Sequence, residues 1–231
     1  MDETLVELLA ANASHAEAFR SRFDDVQEFQ RPDVVTVCCS DSRVLQDHIW
    51  GNDEPGRIFT CSNIGNRVVQ RTESGEAVSG DVLYPIAHTG TDTAVVVGHT
   101  GCGAVTAAYE ALTDGPLADG ASEPPGIEHC IDLLAPHLEP GVEALPDGVD
   151  GAAAVNRLVE YNVDRQVSLL RASDDVPAAV TAVGVVYDFQ DVYGGERGEV
   201  HVVNVDGDTS VESLRDAHPE IGARIRRLQE N

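Results

Sequence analysis

Two short segments carry the residue types that do chemistry. Cys38-Cys39-Ser40-Asp41-Ser42-Arg43 follows one β-branched run, and Gly98-His99-Thr100-Gly101-Cys102-Gly103 follows another. Thiolate sulfur and neutral imidazole are zinc ligands, and zinc takes four in a tetrahedron. His99 and Cys102 share one short turn, so a single loop supplies two of them. Gly101 and Gly103 let the backbone wrap close to an ion. A third ligand has to come from the first segment, which offers Cys38, Cys39 or Asp41. Two thiolates and one imidazole cancel the charge of a dication and leave a fourth position for water or substrate, as in catalytic zinc sites. The spacing excludes other chemistries. There is no GxxxxGK[ST] phosphate loop, no paired CxxC motif and no GxSxG elbow, and the Cys-to-Arg gap is too short for a thiol phosphatase.

The flanking elements place these segments. Val34–Cys38, Ile58–Cys61, Thr93–Val97, Thr181–Val186 and His201–Val205 read as buried strands. Helices are predicted over 4–23, 76–88, 104–112 and 152–171. Strands alternating with helices predict an α/β fold: a central, mostly parallel β-sheet flanked by helices, ending in an antiparallel edge strand. In such sheets, loops at the carboxyl ends of neighbouring strands share one crevice. The chain reads as a single domain over 1–231, with an N-terminal helical arm at 1–31. Residues 114–151 hold nine acids, no Arg and six of the eleven prolines, and read as an acidic surface insertion ordered only around Ile131–Leu134.

All 15 basic residues are Arg; against 40 acidic residues they leave a net charge of −25 over 231 residues. Such a surface repels phosphate backbones and anionic headgroups, so neither nucleic acid nor membrane is an expected partner. No apolar run reaches transmembrane length. The first nine residues carry three acids and no base, unlike a secretory leader, so a cytoplasmic location is expected. In dilute salt this much like charge repels itself. In molar salt the Debye length falls to about 3 Å, which predicts adaptation to a salt-rich, halophilic cytoplasm. Five cysteines, an odd number, point to metal binding or burial rather than a disulfide framework.

C-x-D-S-R followed by H-x-x-C about 60 residues later resembles the β-class carbonic anhydrases. Ser62–Asn66 is similar to that family's Asn-rich loop, Val95–Val105 to its second motif, Asn162-Val163 and Gln166-Val167 to its later helix, and Gly184–Phe189 to its late strand. The resemblance implies that Cys39, His99 and Cys102 are the zinc ligands and that Cys38 faces away. Asp41 and Arg43 take the place of the family's catalytic carboxylate–guanidinium pair, with Asp41 a possible fourth ligand in a closed state. The implied reaction is reversible hydration of carbon dioxide to bicarbonate and a proton by zinc-bound hydroxide. Alternatives on the same site are hydrolysis of carbonyl sulfide or carbon disulfide, or a silent zinc-binding assembly role. Asn63, Gly65 and Gly103 are candidate substrate-pocket residues, although Asn63, Gly65 and Asn66 could equally serve left-handed turns. A homodimer or dimer of dimers is implied, with the N-terminal helix crossing onto the partner. Thr36 and Cys61-Ser62 stand where members with a bicarbonate-regulated switch carry Trp and Arg. An open, water-ligated site is therefore expected.

Overall fold

A computed structural model describes residues 2–113 and 123–229. In chain order the elements are α1 (Glu3–Phe19), β1 (Val34–Cys39), β2 (Ile58–Asn63), β3 (Val69–Thr72), β4 (Gly75–Val78), α2 (Gly80–His88), β5 (Thr93–His99), α3 (Gly103–Thr113), α4 (Pro125–Glu143), α5 (Gly151–Ala172), β6 (Thr181–Asp188), β7 (Glu199–Val205) and α6 (Val211–Ala217). The main sheet has the order β2-β1-β5-β6-β7. All its pairings are parallel except β6–β7, the antiparallel edge. Among the described residues, no helix is long and apolar enough to cross a membrane.

Period-two alternation sorts β1 between the two faces. Val35, Val37 and Cys39 join the larger core, against which Val159, Val163 and Val167 of α5 and Val105 of α3 pack. Cys38 points to the other face, where a smaller cluster forms with Val44, Val97 and Val185. That second face is covered thinly, and Val95, Val183, Tyr187 and Val202 stay half-buried.

Three sequence expectations are corrected. The helix predicted over 76–88 is two elements. Gly75–Val78 pairs antiparallel with Val69–Thr72, and the helix begins only after Ser79, whose hydroxyl caps it by accepting from the Asp81 N–H. In the acidic stretch, the described residues 123–151 are more than a loop with a short ordered core. Residues 114–122 lie outside the described residues, but Pro125–Glu143 is a 19-residue helix that buries Leu133, Leu134, His137, Leu138 and Gly141. Pro125 stands in its first turn, where a missing N–H costs nothing, and the helix absorbs Pro136 and Pro140 because its apolar face packs on the core. At the N-terminus the α-helix ends at Phe19 and continues as a 3₁₀ segment over Arg20–Val26. The α-helix buries no residue, and Leu5, Val6, Leu8 and Leu9 face solvent.

Candidate metal centre

β1 and β5 are neighbours, with Cys38 paired to Val97, so the two chemical loops leave the same end of the sheet side by side. Cys39 is the last residue of β1 and His99 the last of β5. The chain then turns through Gly101, in a left-handed conformation at φ +62°, and delivers Cys102 to the start of α3. The ligand atoms of Cys39, His99 and Cys102 lie within 4.8 Å of one another, and all three residues are buried. Of the three candidates in the first loop, Cys39 enters this cluster, Asp41 stands at its rim and Cys38 faces away.

Two features fit these residues to a zinc ion. His99 Nδ1 lies 3.1 Å from the Thr100 carbonyl, which can only accept, so Nδ1 carries the proton and Nε2 the lone pair. That Nε2 is buried and has no hydrogen-bond partner among the described residues. A buried nitrogen lone pair without a donor is costly unless an ion uses it. The Cys39 and Cys102 sulfurs are 3.9 Å apart. Two sulfurs held about 2.3 Å from one tetrahedral ion would be separated by about 3.8 Å. Two sulfurs and one imidazole nitrogen form a donor set that suits zinc.

The thiols differ sharply. Hydrogen bonding from Cys102 pulls the Cys39 thiol down despite its burial. Cys102, the donor in that pair and deeply buried, is pushed up. Burial drives Cys38 and Cys61 up to about 12, which makes them inert thiols at neutral pH. Cys130 is half-buried, beside the Arg67 guanidinium.

Asp41 and Arg43 form a fork. Arg43 Nε donates to Asp41 Oδ1 at 2.9 Å and Nη2 to Oδ2 at 2.6 Å, while the Arg43 backbone N–H also reaches Oδ1 at 2.9 Å. The guanidinium therefore holds the Asp41 carboxyl well below the usual carboxylate range. Arg43 also donates to the Gly101 carbonyl at 3.1 Å and lies 4.6 Å over the Phe189 ring, which stacks on His99 with centroids 5.8 Å apart. Asp41 Oδ2 sits 3.8 Å from His99 Nε2, at the edge of the ligand cluster.

The expected pocket residues take separate places. Gly65 is closely packed: a Cβ there would come 2.9 Å from Leu134 Cδ2 and 3.5 Å from Ala104 Cβ. Asn63 closes a turn, accepting from the Arg67 N–H and donating to the Arg67 carbonyl, both at 2.8 Å. Asn66 supplies a left-handed residue at φ +44°, and Gly103 opens α3.

A family model described as carbonic anhydrase matches residues 34–200, a stretch that contains both loops. The chain belongs to the carbonic anhydrase family. A carbonic anhydrase of Pseudomonas aeruginosa is 29% identical over 181 residues, covering 73% of this chain and 74% of that protein. A carbonic anhydrase of Helicobacter pylori is 31% identical over 104 residues, 44% of this chain, so the match spans about half of that relative, 47%. The fold is that of the β-carbonic anhydrases. One of the tetrameric enzymes from Sordaria macrospora superposes with a TM-score of 0.70 at 22% identity, over 88% of this chain and 98% of that one.

Asn156 lies outside the segments whose sequence resembles the family's motifs; Asn162, Gln166 and Asp188 lie inside them, but the sequence gives no role to any of the four. Asn156 of α5 accepts the Gly101 N–H at 2.8 Å, and Asn162 donates to the Gly65 carbonyl at 3.2 Å. Gln166 accepts the Val68 N–H at 2.8 Å. Asp188 accepts from the Thr100 hydroxyl and from the N–H groups of Gln190, Val192 and Tyr193. The available signal is polarity in the wrong place: Asn156, Glu160, Asn162 and Gln166 interrupt the buried stripe of α5.

Proposed function

We propose that this protein catalyses the reversible hydration of carbon dioxide to bicarbonate and a proton, with zinc held by Cys39, His99 and Cys102. The observation that carries this reading is the convergence of two sulfurs and an unpartnered imidazole nitrogen beside a carboxylate locked in its ionised form. When bound, zinc lowers the pKa of a coordinated water from 15.7 to about 7 and so supplies a nucleophile near neutral pH. Asp41, kept ionised by Arg43, is an acceptor only. Standing 3.8 Å from His99 Nε2, it would accept a hydrogen bond from an O–H donor held beside the ligand cluster and so orient it. Arg43, anchored on the Gly101 carbonyl, fixes that carboxylate in place. Phe189 stacks on the imidazole. Both Asp41 oxygens are engaged by Arg43, which supports the open reading over one in which Asp41 is the fourth ligand.

Assembly and setting belong to the same reading. The unburied apolar face of α1 supports a second copy covering it, in a homodimer or dimer of dimers. The charge of −25 with no Lys supports a salt-rich milieu. Stopped-flow carbon dioxide hydration with metal quantification, run in high KCl, tests the proposal, and carbonyl sulfide is assayed alongside. Activity that tracks zinc content and disappears in Cys39→Ala supports it. Zinc-loaded protein that is silent towards carbon dioxide at every pH from about 7 to about 9 overturns it.

A further inference from the structure

The family match ends at residue 200, yet the segment beyond it reaches back to the site's supporting loop. Residues 227–229 lie along α5. Glu160, with no solvent exposure, accepts the N–H of Leu228 at 2.8 Å and of Gln229 at 3.1 Å. Arg227, itself buried, lies 3.2 Å from Glu160 and 2.6 Å from Asp164. Arg157 donates to the Leu228 carbonyl at 2.7 Å and takes the Gln229 amide on its own carbonyl at 2.8 Å.

The same carboxylate holds the loop after β6. The Tyr193 hydroxyl donates to Glu160 at 2.9 Å, and Arg226 donates to the Tyr193 and Gly194 carbonyls. The Tyr193 N–H reaches the buried Asp188 at 2.8 Å, and Asp188 also accepts from Thr100, the residue whose carbonyl sets the His99 tautomer. Phe189 follows directly, stacked on His99 and under Arg43. The contacts are therefore continuous from the tail, through Glu160 and Tyr193, to Asp188 and Phe189, and on to the imidazole and the guanidinium. Without the tail, Glu160 would keep Tyr193 as its one remaining partner among the described residues, and a buried carboxylate so stripped forces rearrangement.

We propose that Arg226–Gln229 form a positioning strap: seated on Glu160, they hold the 188–194 loop so that Phe189 fixes His99 and Arg43 in working geometry. The proposal rests on the site reading above. Its test uses the full chain loaded with cobalt in place of zinc, comparing wild type, Arg226→Ala, Phe189→Leu and the double variant. Arg226→Ala, remote from the ligands, is expected to shift the cobalt ligand-field bands, speed metal loss to a chelator 3- to 10-fold, and lower kcat by a similar factor with KM unchanged. The double variant is expected to lose little more than Phe189→Leu alone, because both act through one path. Should Arg226→Ala fail to fold, Tyr193→Phe removes a single hydrogen bond to Glu160 and makes the same test. Unchanged bands and unchanged metal loss in the soluble variant, or fully additive losses, overturn the strap. If the wild type hydrates no carbon dioxide the functional proposal falls, while the bands and the chelator rates still decide the strap.

Discussion

Gly98 precedes His99 and lies against α5. A Cβ at that position would stand 2.6 Å from Val163 Cγ2 and 3.1 Å from Val159 Cγ1. Ordinary carbon contacts are about 3.5–4.0 Å, so Gly98→Ala demands a retreat of roughly 1 Å or a new side-chain position for Val163. Val163 is fully buried and β-branched, which makes a rotamer change expensive. Overpacking of this kind costs about 1–3 kcal/mol. In a chain of this length that lowers Tm by about 2–12 °C. The displaced strand end carries His99, so zinc affinity is expected to fall about 10- to 100-fold, the usual penalty for disturbing a ligand's support. Differential scanning of the loaded protein and competition with a chromophoric chelator measure both effects. Val163→Ala added to Gly98→Ala makes room and should restore zinc affinity while stability stays low. Wild-type Tm and affinity in Gly98→Ala, or no recovery in the double variant, would refute the packing argument.

Asp41→Asn replaces an acceptor with an amide that faces the Arg43 donors, and carbon dioxide hydration should drop about 10²-fold with zinc retained; activity within twofold of wild type would remove Asp41 from the mechanism. The Asp41 carboxyl is depressed in the folded protein, so its stabilising contribution is present above the ordinary carboxylate pKa of about 3.9 and is lost as acid titrates below it. The stability gap between wild type and Asp41→Asn should thus hold constant from about pH 5 to pH 7 and shrink only at lower pH, as followed by chemical denaturation. Cys38 runs the other way: its thiol sits at about 12 when folded and near 8.5 when unfolded, so the unfolded chain ionises first and stability declines as pH rises above about 8.5. Cys38→Ala should lessen that alkaline decline without abolishing it, because Cys61 is raised to about 12 as well, and an identical slope in wild type and variant would count against the assignment. Melting in KCl from 0.1 to 2 M should raise Tm as screening relieves a net charge of −25, whereas a flat series contradicts the salt argument.

The strands and the ligand loops were readable because buried parallel strands are continuous β-branched runs, and a Cys or His at the end of one has few structural uses. Thr93–His99 and Val34–Cys39 illustrate this. The β3–β4 hairpin was not readable, since four-residue strands leave too little alternation to separate from the helix behind them. α4 was hidden by Pro136 and Pro140, which local propensity treats as breakers and which burial of Leu134 and Leu138 outweighs. Within the site, Cys39, Asp41 and Arg43 are neighbours in sequence and travel together. Asn156, Gln166 and Asp188 act from far along the chain by catching backbone groups, and nothing in their local sequence says which groups those are.

The Cys39 and Cys102 sulfurs, 3.9 Å apart, share one hydrogen bond, which lowers the acceptor thiol and raises the donor. Such neighbours titrate as a pair and not as two separate groups. A substitution at either sulfur therefore also changes the one left behind, so single cysteine variants report on the couple.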